Sequence, residues 1–147
     1  MKKTISILGI LLIFTVNTSA QEIRADVIKV AVTGEKQYRF NVTLESDETG
    51  CAQYADWWEV LDSGGKLLYR RILFHSHSND QPFTRSGGAV PLRSDEVVYI
   101  RGHMNTLGYV GDVFVGSVAT GFRKAEKVPD FPKDLEMQKP LPDGCAF

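Results

Sequence analysis

The chain has 147 residues, with 17 Lys and Arg against 18 Asp and Glu, three His and two Cys. That length suits a single domain with its own core. The near-even charge excludes the dense basic surface that nucleic-acid binding requires, and no segment beyond the N-terminal region is apolar enough for a membrane span of about 20 residues.

Residues 1–20 begin with Lys2 and Lys3, continue through an almost unbroken apolar run at residues 5–16, and place Thr18 and Ala20 just before Gln21. This is the three-part pattern of a secretory signal peptide cut ahead of Gln21. A lipoprotein anchor would need Cys after the cut, and Gln21 stands there instead. The expected product is exported, periplasmic and free of a membrane span. Its 15 basic and 18 acidic side chains make it mildly acidic.

The mature part opens with strand-like alternation. In "IRADVIKVAVTGEK" Ile28, Val30 and Val32 share one parity, and in "KQYRFNVTLES" Tyr38, Phe40, Val42 and Leu44 do the same. Each is the period of a strand with one buried face, and Gly34-Glu35 between them predicts a hairpin. "AQYADWWEVLDSGGKLLYRRILF" reads as a second hairpin turning at Asp62, Ser63, Gly64 and Gly65. Trp58 shares parity with Tyr54 and Val60 and is expected in the core. Trp57, of the other parity, is expected at a rim.

"NDQPFTRSGG" reads as an ordered loop in which Asn79-Asp80 caps a turn, Pro82 stiffens the backbone and Phe83 anchors by burial. Arg85 has three readings there: an ion pair with Asp80, Asp56 or Glu59, a buried fork for a carboxylate or phosphate, or a solvated loop side chain. Gly87-Gly88 and Pro91 interrupt the chain before "EVVYIRGHM" and "YVGDVFVGSVA", which predict two more strands. His103 has the parity of Tyr99 and Arg101, opposite to Val98 and Ile100, and so points away from the core. The tail holds four of the six prolines, at Pro129, Pro132, Pro140 and Pro142, which excludes a regular helix or a central strand. In an exported protein the two cysteines, Cys51 and Cys145, predict a disulfide. That bond would draw the tail back across the domain and let Phe131, Leu135 and Leu141 pack.

About seven short strands with no helical periodicity predict an all-β, antiparallel, immunoglobulin-like β-sandwich, with a small barrel as the alternative. The division expected is a signal peptide at residues 1–20, the sandwich at 21–123 and the tail at 124–147.

Chemistry concentrates on the histidines. His75 and His77 lie on one face of an extended segment, and His103 ends another strand. If these ends meet, the three could ligate Zn or Cu, with Asp80 or Met104 as a fourth contact. The competing reading gives the rings a structural role, bonded to loop carbonyls or to Asp80. Ser76, His77 and Asp80 contain the residue types of a hydrolase triad, but neighbours on one short stretch rarely converge in line. No Gly-x-Ser-x-Gly or His-Glu-x-x-His motif occurs, and Asp56 with Glu59 forms a carboxylate pair without a recognisable cleft.

"YADWWEV", "HSHSNDQPFTRS" and "RGHMNTLGYVG" together resemble an uncharacterised family of small secreted bacterial proteins with a His-x-His…Gln-Pro-Phe-Thr-Arg motif. The similarity covers roughly residues 26–116. Members carry His-Pro-His in place of His75-Ser76-His77, and Glu in place of Asp80. The resemblance implies one compact domain of immunoglobulin type and brings no activity, ligand or catalytic residue with it.

The functional expectation is an exported, non-enzymatic binding protein whose strand-end loops hold a His75, His77 and His103 metal site, with Asp80, Phe83, Arg85 and Trp57 around it. The alternatives are a cell-envelope module that binds a protein partner, with structural histidines, and a metal-dependent hydrolase.

Overall fold

The computed structural model of the protein describes residues 22–146. The expected signal peptide lies outside them. Eight strands form two antiparallel sheets: β1 (Ala25–Thr33), β2 (Gln37–Ser46) and β5 (Phe83–Pro91) in the order β1-β2-β5, and β4 (Leu67–Ile72), β3 (Ala55–Asp62), β6 (Val98–Met104), β7 (Phe114–Ser117) and β8 (Gly121–Lys124) in the order β4-β3-β6-β7-β8. The arrangement is a β-sandwich and not a barrel. Strands 1-2-5 facing 3-6-7 are in the immunoglobulin order, except that β4 pairs with β3 instead of extending the first sheet. The short turn explains this choice: Asp62 Oδ1 accepts from the Gly64 and Lys66 amides, both at 2.9 Å, and folds β4 straight back onto β3.

The inner faces interdigitate as the alternation requires. Phe40, Val42 and Leu44 of β2 meet Trp58 and Val60 of β3 and Ile100 of β6, all fully buried. Full burial of each such side chain is worth roughly 1.5–3 kcal/mol.

Three expectations are corrected. Ile28 is 40% exposed, because a bulge between Val27 and Lys29 leaves it unpaired and hands the inward position to Val27. The segment read as a loop at 79–88 is from Phe83 onward strand β5, paired along β2 from Phe83↔Leu44 to Pro91↔Gln37. Gly87 does not break it. A Cβ there would sit 2.6 Å from the Tyr69 ring and 2.9 Å from Trp58, so glycine is what lets the large indole lie beneath the strand. Trp57 is not at a rim either, being only 4% exposed.

The tail causes that last correction. The Cys51–Cys145 disulfide forms across a separation of 94 residues, and residues 131–142 run over the outer face of the five-stranded sheet. They include a short 3-10 helix, Lys133–Met137, whose Leu135 is fully buried. Phe131 packs edge-on to Tyr99 at 5.3 Å, whereas Leu141 stays 39% exposed.

Candidate functional site

Strand register writes a polar row onto the face beneath the tail. Glu59 of β3 pairs with Arg70 of β4 on one side and Arg101 of β6 on the other, and Trp57 pairs with His103. Directly opposed residues meet, so five charged or aromatic positions from three strands become neighbours. Glu59 Oε2 accepts from Arg70 Nε at 2.9 Å and Nη2 at 2.6 Å, and Oε1 accepts from Arg101 Nε at 2.9 Å. Two guanidiniums thus share one fully buried carboxylate.

Backbone carbonyls and rings take up the surplus positive charge. Arg70 donates to the carbonyls of Leu135 (2.7 Å), Pro140 (3.2 Å) and Gln138, which fastens the tail to the sheet. Its guanidinium lies 4.4 Å from the Trp57 ring centre, and that of Arg101 lies 3.3 Å from the Tyr109 ring centre; such contacts are attractive when desolvated. Burial, and next the adjacent Glu59, push the Tyr109 phenol up to about 12.

At the end of this row is a dyad. The β3–β6 pairing has a bulge between Ala55 and Trp57, which takes Asp56 out of alternation and re-aims its carboxylate at the outer face. Asp56 Oδ1 lies 2.6 Å from His103 Nδ1. The His103 ring stacks on Trp57 with centres 3.5 Å apart and meets Tyr109 edge-on at 4.8 Å. These contacts fix the imidazole plane.

The dyad forms the floor of a pocket of about 680 Å³, lined also by Trp57, Asn105, Thr106, Leu107, Gly108, Glu136, Leu141 and Pro142. One wall is the turn after β6. The Met104 and Gly108 backbones bond reciprocally at 2.8 and 2.9 Å, and Asn105 Oδ1 accepts from the Tyr54 amide at 3.0 Å. Gly108 has φ +74°, a backbone conformation that favours glycine. The other wall is the tail. In the neutral ring the Asp56 carboxylate holds the proton on Nδ1, and Nε2 is left as a lone pair toward the pocket. Glu136 Oε1 faces it at 4.0 Å, beyond hydrogen-bonding distance. Chemically this is an acceptor site that could bind a donor or take a proton. The lining contains Thr106 but neither Ser nor Cys.

The other two histidines have different company. His75 and His77 are 4.5 Å apart between ring centres, and His77 stacks on Phe83 at 3.8 Å. His77 is 4% exposed, and neither ring nitrogen has a hydrogen-bond partner. Burial first, and then nearby Arg85, lower its pKa to about 4. Glu48 organises the loop: its carboxylate accepts from Ser76 Oγ at 2.8 Å, from Ser46 Oγ at 2.8 Å and from the His77 amide. Gln81 adds bonds to the Ser46 amide (2.9 Å) and hydroxyl (3.1 Å). Among the described residues no group of three or more His, Cys, Asp or Glu could hold a metal ion. The expected His75, His77 and His103 set is therefore not assembled: His103 is committed to Asp56 and Trp57, while the other pair packs around Phe83.

The remaining expected residues divide. Phe83 anchors by burial as read. Arg85 donates to the Thr84 carbonyl at 2.9 Å and lies 5.3 Å from the Phe83 ring centre, away from the carboxylates expected to pair with it. Asp80 is exposed, and its amide bonds the His77 carbonyl at 2.9 Å. Trp57 joins His103, as the wall of its pocket. Sequence reasoning missed the Glu59, Arg70 and Arg101 group and Glu136. The available signal was the run of charged and aromatic residues at outward parity on two strands, together with a tail bearing leucine.

The chain is 36% identical over 122 residues to a protein of Halomicrobium mukohataei named a putative lipoprotein; the match takes in 81% of this chain and 60% of that protein. The chain thus spans less than two thirds of that relative's length. No family model matches it, and no solved structure matches it.

Proposed function

We propose that the protein is an exported, non-enzymatic β-sandwich of the cell envelope that binds a small ligand in the pocket over Asp56 and His103. The observation that carries this reading is the dyad itself: a stacked imidazole, oriented by a buried carboxylate, leaves its second ring nitrogen unbonded in an open cavity. Pockets of this size with a few convergent polar groups are where small ligands bind. Export is supported by the charged-then-apolar opening of the chain, by the disulfide, which persists in oxidising compartments, and by the lipoprotein name of the relative. Binding is favoured over nucleophilic turnover because the one hydroxyl of the lining, Thr106, makes no hydrogen bond to His103.

A fragment screen by saturation-transfer NMR tests the reading, run on the parent and on Leu107→Trp, a bulky change at an exposed rim position. Fragments that bind the parent and are lost in the variant are expected. Fragments that bind both equally, or none at all, would argue against the pocket. Fractionation of the native cells should recover the oxidised protein with the envelope; recovery of reduced protein in the cytosol would contradict export.

A further inference from the structure

Resting on that reading of the pocket, we infer that its ligand presents a primary alkylammonium group, seated between His103 Nε2 and Glu136. With the imidazole neutral and its proton on Nδ1 both atoms are acceptors, they lie 4.0 Å apart, and no hydrogen bond joins them. A donor placed about 2.8 Å from each would see them at an angle of about 90°. That is close to what two N–H bonds of a tetrahedral ammonium reach, and further from the wide planar fork of a guanidinium.

The surroundings select for positive charge. Asp56 and Glu136 line the pocket, and no Lys or Arg does. The nearby guanidiniums of Arg70 and Arg101 share Glu59 and turn their surplus charge to the tail carbonyls and the Tyr109 ring, outside the pocket lining. Carboxylates alone would be an ordinary solvated surface. Here the imidazole side chain is 8% exposed, makes its one hydrogen bond through Nδ1, and leaves Nε2 without a hydrogen-bond partner at the cavity. Leu107 and Leu141, 52% and 39% exposed, stand at the mouth. They offer apolar contact for the methylenes that carry an amine, so a short alkyl chain fits where a bare ammonium ion would leave them wet.

The test is a titration of the ¹⁵N-labelled protein, followed at the Leu107, Gly108 and Glu136 amides. The probes are n-butylamine, its neutral isostere 1-butanol and the anion butyrate. Butylammonium is expected to move these amides saturably while the other two leave them in place. Glu136→Gln, a change at a half-exposed side chain that should not disturb folding, is expected to weaken butylammonium by about three- to tenfold. Nα-acetyl-lysine methylamide and 1,5-diaminopentane separate the sources: binding of the first points to a lysine side chain, binding of the second alone to a free amine, and either supports the ammonium seat. Equal binding of butanol or butyrate would overturn the inference and leave the pocket reading standing. Undiminished binding to Glu136→Gln would overturn it as well. Silence from every probe would overturn both.

Discussion

Replacing Arg70 with Met should release the tail without dissolving the sandwich. The Arg70 side chain is fully buried; it bonds Glu59 twice and the carbonyls of Leu135, Gln138 and Pro140. Methionine keeps most of the aliphatic volume and none of the donors. Glu59 retains Arg101, but three tail carbonyls lose their donor: that of buried Leu135 at about 1–3 kcal/mol, and those of exposed Gln138 and Pro140, which water can reach, at about 0.5–1.5 kcal/mol each. The chain escapes that sum by lifting the tail, which exposes Leu135 and Trp57 at roughly 1.5–3 kcal/mol apiece. The smaller of the two routes sets the cost, on the order of 3 kcal/mol. For a domain of this size it corresponds to a fall in Tm of roughly 10–20 °C. Thermal melts followed by tryptophan fluorescence give both readouts. Emission in the native baseline should shift to the red as one indole meets water. A variant that melts within about 2 °C of the parent, with unchanged emission, would refute the claim that Arg70 holds the tail.

Two further perturbations bear on the same architecture. Cys51→Ser with Cys145→Ser removes a closure over 94 residues, for which chain-entropy estimates give about 4–5 kcal/mol. Calorimetry should show a Tm well below that of the oxidised parent, and a matching loss when the parent is reduced; equal melting of all three would contradict it. His77 titrates near 4 when folded against about 6.5 unfolded. Its folded pKa is depressed, so the unfolded chain binds the extra proton first, and the stability present above pH 6.5 drains away as pH falls toward 4. Between pH 7 and 4.5 the loss is on the order of 2 kcal/mol. His77→Phe, which keeps a ring against Phe83, should remove this part of the pH dependence in urea midpoints, and an unchanged slope would assign it elsewhere.

What could be read from the chain alone follows from where each piece of information resides. The parity of Tyr38, Phe40, Val42 and Leu44 is local, and these positions are buried as expected. The two hairpins were legible for the same reason, and the disulfide, with the packing of Leu135 that follows from it, because two cysteines in an exported chain leave one pairing. Ile28 misled because a bulge shifts parity without marking the sequence. Strand β5 was hidden because its exposed side bears Thr84 and Ser86 and its inner side needs Gly87 beneath the Trp58 ring. The candidate site was least legible. Glu59, Arg70, Arg101 and His103 meet only through register, and Asp56 reaches His103 only because a bulge turns it outward. Trp57 reads as a rim residue until the tail is laid over it. Grouping the three histidines followed residue type, whereas the fold groups them by what each ring stacks on.

Hydroxyl-radical footprinting of the two adjacent tryptophans, read by tandem mass spectrometry, tests the central claim that the tail roofs the outer face. Trp58 lies between the sheets, 0% exposed, and Trp57 lies under the tail, 4% exposed. Both should be protected in the parent, and Trp57 alone should become reactive in Arg70→Met. A Trp57 oxidised in the parent as readily as in the unfolded chain, beside a protected Trp58, would mean that the tail does not cover this face and that the pocket over Asp56 and His103 lacks its second wall.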